Sequence, residues 1–285
     1  STSISDILKA PYLVWNLPKQ DHKFVGRGDL LEELQAKLHP KTKIQTADKK
    51  QLAMVSVCAG LGGVGKTQLA LQYAHNTKHH YTLKAWFQAE NLDQLKQQYM
   101  EFAIKELGFK DKEPSFERVL PYVKEYLSKH QGWLLVYDNV TSYTEIKDFL
   151  PNEGGAIILT TRQQKWPNNF EKIDIEVMQE AEAIELIASL IQRQIQPSEQ
   201  ASIKELVKAL GYLPLALGQA GAYIKQNAIS FTDYLSLYKE HEQELLLDDT
   251  RPEGTDSLPI ATTWNLSLEA IVKEAKQNQQ PPLAL

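Results

Sequence analysis

A glycine-rich stretch that ends in lysine and threonine has the clearest chemical potential in this sequence. Residues 60–67 read GLGGVGKT and fit the pattern G-x-x-x-x-G-K-[ST]. Glycines let a backbone turn its N–H groups towards a phosphate, and a following helix N-terminus adds partial positive charge. In such a loop the Lys66 ammonium reaches the terminal phosphates, and the Thr67 hydroxyl is a ligand for Mg²⁺. The stretch therefore predicts a site for a nucleoside triphosphate with Mg²⁺.

The segments on either side of this loop are the elements that would position it. Residues 52–58, LAMVSVC, form an apolar run with the length and β-branched content of a buried strand. Residues 68–74, QLALQYA, have the apolar spacing of a helix. Strand, glycine loop and helix in this order are the context that a phosphate-binding loop requires.

A second apolar run ends in an acid about seventy residues after the loop. It reads LLVYD over residues 134–138, and we expect Asp138 to hold Mg²⁺ opposite the Thr67 hydroxyl. The next residue is Asn139, at a position where an acid could activate water. An amide takes no proton at neutral pH, so Asn139 predicts slow hydrolysis or a base supplied from elsewhere.

Arg162 directly follows a third apolar run, residues 155–161. At this position we expect its guanidinium to contact the third phosphate and to distinguish a triphosphate from a diphosphate. Gly60, Asp138 and Arg162 all come just past predicted strand ends. Since ligands bind at the carboxyl ends of parallel strands, we expect the three residues to converge on one edge of the sheet.

The order of apolar runs and helical patterns predicts an α/β fold. Short apolar strands separated by helices indicate a parallel sheet covered on both faces. From about residue 178 onwards only helical spacing occurs. We therefore expect a P-loop parallel-sheet nucleotide-binding domain followed by an all-α helical subdomain. The expected boundaries are an N-terminal arm at 1–23, the nucleotide-binding domain at 24–176, the helical subdomain at 177–247, and a polar linker with a last helix at 248–285.

The composition limits the remaining function classes. The 285 residues carry a net charge of −5, which argues against a general nucleic-acid-binding surface. No apolar run is long enough to span a bilayer, no signal peptide is visible, and Cys58 is the single cysteine, so a cytoplasmic location is expected. The chain begins without methionine, and we expect it to be a piece of a longer protein.

Four short motifs give the chain a family resemblance. They occur in the order FVGR at 24–27, the phosphate-binding loop, YDN at 137–139 with TTR at 160–162, and LPLA at 213–216. This combination resembles the NB-ARC type of STAND NTPase, the signalling ATPases of apoptotic scaffolds, plant disease-resistance receptors and many large bacterial regulators. Residues 15–18 and 261–268 are similar to bacterial members that carry tetratricopeptide repeats further along the chain.

The resemblance implies a role for each matching residue. Val25 would contact adenine through the backbone with Arg27 nearby, and Pro214 would pack on the adenine or ribose. Lys66, Asp138 and Arg162 would be the catalytic and sensing groups, with Thr67 and Asp138 at Mg²⁺. The phosphates would be wrapped by Gly62, Gly63, Val64, Gly65, Lys66, Thr67 and Gln68.

The function that the resemblance implies is a signalling switch that binds ATP or ADP. Such a switch would hydrolyse ATP slowly, close its domains in response to nucleotide and self-associate in the ATP state. The last helix would be the first of a truncated winged-helix domain, so the family's winged-helix histidine cannot be assigned to any residue here. The parent chain's winged helix and a repeat sensor would be partners. Two alternatives stay open: a module that binds nucleotide without turnover, and an ATPase motor or phosphotransferase.

Overall fold

The computed structural model describes residues 13–20, 26–38, 54–77, 80–247 and 257–277. The chain divides into two compact units. The first, here called the α/β unit, takes its described residues from Ser1–His22, Arg27–Gly60 and Lys66–Ile175. The second, the helical unit, takes them from Lys23–Gly26, Leu61–Gly65 and Glu176–Leu285.

The α/β unit is built on a parallel sheet whose described part has six strands: β1 (Leu13–Trp15), β2 (Met54–Ala59), β3 (Leu83–Gln88), β4 (Trp133–Val140), β5 (Gly155–Thr161) and β6 (Glu171–Asp174). Their order across the sheet is β1-β3-β4-β5-β2-β6. Since all these strands run the same way, their carboxyl ends share one edge. The strand β5 lies between β2, which leads into the phosphate-binding loop, and β4, which carries the predicted acid.

Helices connect these strands and cover the sheet. The described helices of this unit are α1 (Gly28–Leu38), α2 (Lys66–Asn76), α3 (Leu92–Lys105), α4 (Phe116–Lys129) and the short α5 (Tyr143–Ile146), which continues as a 3-10 turn (Lys147–Phe149). One face of the sheet packs on α3 through an aromatic cluster, in which the Phe87 and Tyr137 rings stack at 5.4 Å and Tyr99 lies over both. These rings are fully buried and contribute much of the apolar area that stabilises the unit.

The described part of the predicted N-terminal arm contains a strand at the edge of the described sheet. Leu13–Trp15 pairs in parallel with β3, and the Trp15 ring is buried 5.7 Å from that of Phe102. The predicted arm at 1–23 therefore contributes a strand and a core side chain to the α/β unit.

The end of β4 differs from the sequence-based expectation. The sequence predicts Asp138 just past the strand end, but β4 continues to Val140 through an irregularity in its pairing with β5 between Tyr137 and Val140. Asn139 has a φ of +61° at this point, which asparagine tolerates better than most residues. The irregularity, or bulge, comes after Asp138, which keeps its register with β3, and Asn139 is exposed.

The helical unit contains α6 (Glu180–Ile191), a 3-10 turn (Pro197–Glu199), α7 (Gln200–Ala209), α8 (Pro214–Asn227), α9 (Phe231–Leu247) and α10 (Leu258–Gln277). Apolar spacing in the sequence predicts helices over 231–241 and near 266–276, but both bounds were wrong. The structure continues α9 past His241 and begins α10 at Leu258, eight residues before Leu266. The first turns of α10 contain Thr262 and Thr263, whose hydroxyls bond carbonyls four residues back at 2.9 Å. Such back-bonding accommodates residues that otherwise disfavour a helix.

None of the helices in the described part of the chain has the length and apolar character needed to cross a membrane.

Candidate functional site

Lys66 folds back over the beginning of the phosphate-binding loop. It is the first residue of α2, and its Nζ donates a hydrogen bond to the Gly60 carbonyl oxygen at 2.9 Å. The side chain is only 6% exposed, so its charge is held in a largely water-excluded position. Backbone N–H groups at the beginning of a helix such as α2 lack partners within the helix, which makes this end favourable for an anion.

The surroundings of Lys66 weaken its hold on the proton. Burial, followed by the nearby charge of Arg162, lowers the pKa of Lys66 from its ordinary 10.5 to about 8, against the opposing attraction of Asp138. The ammonium is still protonated at neutral pH. A phosphate at this position would favour the charged form, because opposite charges stabilise each other strongly where water is excluded.

Asp138 is the centre of a buried hydrogen-bond network. Its Oδ1 accepts from the Thr67 hydroxyl at 2.8 Å and also from the hydroxyl of Thr160. The Thr160 oxygen in turn accepts the backbone N–H of Asn139 at 2.8 Å. The network joins helix α2, strand β4 and strand β5, so it fixes the carboxylate relative to the first turn of α2.

The Asp138 carboxyl is 3% exposed, and burial raises its pKa above the ordinary value despite its hydroxyl partners and Lys66. A carboxylate and a hydroxyl are hard oxygen donors of the kind Mg²⁺ prefers. Thr67 and Asp138 are adjacent here and lie beside an ammonium, so the donor set fits a magnesium ion that accompanies a phosphate.

Arg162 follows the last residue of β5 on the same sheet edge. The preceding Thr161 is buried, and its hydroxyl donates to the Val140 carbonyl at 2.7 Å and accepts the Gln163 N–H at 3.0 Å. These bonds fix the backbone on both sides of Arg162. The guanidinium is exposed and close enough to Lys66 to affect its pKa.

The middle of the phosphate-binding loop packs within the helical unit. The Gly63 carbonyl accepts the Leu215 N–H at 3.2 Å, which satisfies one of the free N–H groups in the first turn of α8. Gly63 has a φ of +77°, and a Cβ built on it would lie 2.5 Å from the Cδ1 of Ile260. A Cβ built on Gly65 would lie 4.0 Å from Cγ of Pro214.

The predicted site residues thus fall into four groups. The α/β unit brings together Lys66, Thr67, Asp138 and Arg162, and the helical unit brings together Gly63, Gly65 and Pro214. Val25 lies outside the described residues. The others are placed on the loop or at a helix start: Gly62 half-buried, Val64 buried, Gln68 exposed on the first turn of α2, and Arg27 before α1 with its carbonyl accepting the Leu31 N–H.

Two residues of the site do not stand out in the sequence. Thr160 enters the sequence argument only as part of a motif, although its hydroxyl is a direct partner of Asp138. Ile260 is missed because the apolar spacing places the start of α10 later than the structure does. Pro259, two residues after Ser257, could have indicated the earlier start of α10, because proline suits the first turn of a helix.

The sequence is similar to a known domain family and to several known proteins. The sequence model of the NB-ARC domain matches residues 28–197. A nucleotide-binding leucine-rich repeat (NLR)-like protein of Hyaloscypha variabilis is 28% identical over 289 residues. The alignment covers 89% of this chain and 28% of the fungal protein. The regulatory protein AfsR of Streptomyces griseus is 28% identical over 222 residues, 70% of this chain and 21% of its own.

Among solved structures, the chain is similar to a Signal Transduction ATPase with Numerous Domains (STAND) protein with a tetratricopeptide repeat sensor from Pyrococcus horikoshii. The identity is 17% and the TM-score 0.46, over 90% of this chain and 41% of that one.

The chain spans about a quarter of the length of the fungal and the Streptomyces relative. The match to the NB-ARC model covers more than half of the 285 residues and includes the network of Lys66, Thr67, Asp138 and Thr160. This chain therefore belongs to the NB-ARC family of P-loop NTPases.

Proposed function

We propose that this chain is a signalling switch module that binds ADP and ATP and hydrolyses ATP slowly. The observation that carries the proposal is the Thr67 hydroxyl on the Asp138 carboxylate, beside the buried ammonium of Lys66. This set combines phosphate-binding charge with ligands for a divalent cation. Membership of the NB-ARC family supports adenine as the base.

In this proposal Thr67 and Asp138 hold Mg²⁺ and Lys66 holds the terminal phosphates. The bound ion supplies charge neutralisation for the phosphate oxygens. Arg162, exposed at the end of β5, contacts the third phosphate. The N–H groups of the loop and of Gln68 bind the remaining phosphate oxygens. Val25, Arg27 and Pro214 surround the base and sugar.

Asn139 supports slow rather than rapid hydrolysis. Its side chain is a neutral amide that takes up no proton at neutral pH, so this position offers no base for water. Exchange of diphosphate for triphosphate, rather than rapid turnover, then controls domain closure and self-association. A ligand shifts such an equilibrium only by its different affinity for the two states.

The wider context is also part of the proposal. We expect the domains at 1–23, 24–176, 177–247 and 248–285 to belong to a longer cytoplasmic protein, in which the last segment begins a winged helix and a repeat domain serves as the sensor. Nucleic acid is not expected to be a general partner, given the net charge of −5.

The direct test is to denature the purified protein and identify the nucleotide that it releases. ADP would support a resting switch, and the affinities for ADP and ATP, with and without Mg²⁺, should then differ. Lys66→Ala should abolish binding, whereas Lys204→Ala, which removes an exposed ion pair with Glu180 in the helical unit, should not. Equal affinities for ADP and ATP would contradict a switch.

A second candidate is a module that holds nucleotide without turnover, and Asn139 is the observation that favours it. Incubation of nucleotide-free protein with an excess of labelled ATP distinguishes the slow ATPase from the binding module. Release of labelled phosphate supports the slow ATPase. Stable bound ATP over many hours supports the binding module.

A further inference from the structure

The end of strand β3 brings a polar side chain next to Asp138. Gln88 is the last residue of β3 and is the register partner of Asp138 on β4. The preceding partners, Phe87 and Tyr137, stack on the α3 face of the sheet. Since successive side chains of a strand alternate between faces, Gln88 and Asp138 point to the opposite face. This is the face on which Asp138 meets Thr67.

The backbone of Gln88 is fixed from one side by a single side chain. Gln98 on α3 accepts the Gln88 N–H through Oε1 at 3.0 Å and donates from Nε2 to the Gln88 carbonyl at 3.0 Å. The edge strand β1 pairs with β3 only as far as Ala85. Gln98 therefore replaces the missing strand partner, because both backbone groups of Gln88 need hydrogen bonds where they are partly buried.

The backbone is fixed from the other side by β4. The N–H of Ala89, the next residue, donates to the Asp138 carbonyl at 2.7 Å. The position of Gln88 relative to Asp138 is thus set by hydrogen bonds on both edges of β3. Its side chain is half-buried and carries one acceptor and two donors at the sheet edge where the phosphate-binding groups lie.

We propose that Gln88 is a catalytic residue for ATP hydrolysis whose carboxamide orients the attacking water, and that Gln98 is the residue that positions it. This inference rests on the proposed function. It also accounts for how water is held when the residue after Asp138 is an asparagine, which offers no base.

The chemistry assigned to Gln88 is orientation without proton abstraction. The water oxygen forms a new bond to the third phosphorus, and the bond from that phosphorus to the bridging oxygen breaks with its electron pair on the departing ADP. An amide takes up no proton at neutral pH, so the water proton leaves on the released phosphate or passes to solvent. Hydrolysis by this route is slow, because the amide gives no general-base assistance.

The first test compares Gln88→Ala with the matched control Gln97→Ala. Gln97 is an exposed glutamine on α3 whose amide donates to the Glu101 carboxylate one turn along the helix. Single-turnover hydrolysis should fall roughly ten- to hundred-fold for Gln88→Ala and stay unchanged for Gln97→Ala. The affinities for ADP and ATP should remain within about two-fold of wild type for both variants.

The second test uses Gln88→Glu, which keeps an oxygen able to orient water but adds a titratable group. We expect this variant to hydrolyse ATP at least as fast as Gln88→Ala, with a rate that falls as pH drops through the pKa of the new carboxyl group. A purely structural role of Gln88 would produce no new pH dependence of the bound-state rate.

The third test addresses Gln98. In Gln98→Ala, amide hydrogen exchange at Gln88 should accelerate and hydrolysis should slow, with nucleotide affinity retained. In Gln98→Glu, the side chain can still accept the Gln88 N–H, so both changes should be smaller.

Different outcomes distinguish this inference from the proposed function. If wild type binds and hydrolyses ATP and Gln88→Ala does so at the same rate, the role of Gln88 is wrong and the switch proposal is unaffected. If Gln88→Ala loses nucleotide affinity as much as rate, Gln88 is a binding residue and the catalytic assignment is also wrong. If wild type binds nucleotide but never hydrolyses it, both the slow ATPase and this inference fail. If it binds no nucleotide, the switch itself fails.

Discussion

The Thr67 hydroxyl donates to the Asp138 carboxylate at 2.8 Å, although the two residues are 71 positions apart in the chain. They come from β4 and from the helix that follows β2, and β5 lies between those two strands. The gap is bridged by Thr160 of β5, whose hydroxyl meets the same carboxylate oxygen. The site therefore depends on three segments keeping their register.

Replacement of Thr160 by valine should destabilise the α/β unit and weaken Mg²⁺-dependent nucleotide binding. The change leaves the partly buried Asn139 N–H without its acceptor and removes one donor to Asp138, at a cost of about 2 kcal/mol in the free energy of unfolding. Urea unfolding measures the free energy of unfolding of each variant. Thr160→Ser keeps the hydroxyl and is the control. Equal losses for valine and serine would show that packing, and not the hydroxyl, is responsible.

Replacement of Gly63 by alanine should destabilise the helical unit by about 1–3 kcal/mol. The φ of +77° strains any side chain, and the new Cβ would lie 2.5 Å from Cδ1 of Ile260. Combination with Ile260→Ala should recover the steric part of the loss, which a double-mutant cycle measures. Additive effects of Gly63→Ala and Ile260→Ala would contradict the contact.

The control for this cycle is Gly218→Ala on α8. Among the residues that the structure describes, nothing lies within 4 Å of a Cβ added at Gly218. This substitution should be neutral or stabilising by about 0.5–1 kcal/mol, because alanine loses less conformational freedom in a helix than glycine.

The stability of the helical unit should depend on the protonation of His241. Its Nε2 lies 2.8 Å from Glu269 Oε2 on α10 and its Nδ1 lies 3.0 Å from the Leu237 carbonyl oxygen, so both ring nitrogens face acceptors. Only the doubly protonated ring satisfies both. Burial opposes the charge, but the bonds to Glu269 and Leu237 and the charge of Glu244 outweigh it and raise the pKa of His241 above its ordinary 6.5.

When the pKa of a histidine is higher in the folded than in the unfolded protein, its protonation stabilises the folded state. This stabilisation is complete below the pKa of the unfolded state and is lost as pH rises through the pKa of the folded state. The free energy of unfolding should therefore decline from about pH 6.5 upwards. Chemical unfolding of wild type and His241→Gln across this range measures the effect. The difference between the two proteins should shrink with rising pH, and a difference that grows with pH would reverse the assigned sign.

Replacement of Asn139 by aspartate should accelerate hydrolysis. Asparagine and aspartate both tolerate the φ of +61° at this position, and the side chain is exposed, so the fold should be retained. A carboxylate after Asp138 can accept a proton from water, and the single-turnover rate should rise by about ten-fold or more. Asn139→Gly, which also suits the backbone but supplies no carboxylate, is the matched control. An equal rate for all three proteins would place the base elsewhere.

The phosphate-binding loop and the central strands could be predicted from the sequence because their signals are local. The runs that form β4 and β5 are buried on both faces and therefore read as continuous apolar segments. The motif positions of Lys66, Thr67 and Asp138 then follow from parallel-sheet topology.

Other features could not be predicted because they depend on contacts between distant segments. The strand β1 has only three residues and owes its conformation to pairing with β3 and to the burial of Trp15. The bulge at Asn139 depends on a hydrogen bond from its N–H to Thr160. The early start of α10 includes two threonines, whose intrinsic preference is overridden by local back-bonding and by packing on the rest of the helical unit.

The position of β5 between the loop strand and the acid strand has a consequence for how mutations act. Thr160 faces the buried carboxylate and Arg162 reaches the exposed edge, yet both belong to one short segment fixed by Thr161. A displacement of this segment must move both groups at once. Variants that shift β5 from outside the site should therefore change both the affinity for the cation and the discrimination between ADP and ATP. A variant that changes only one of these two properties should act directly on the side chain of Thr160 or of Arg162.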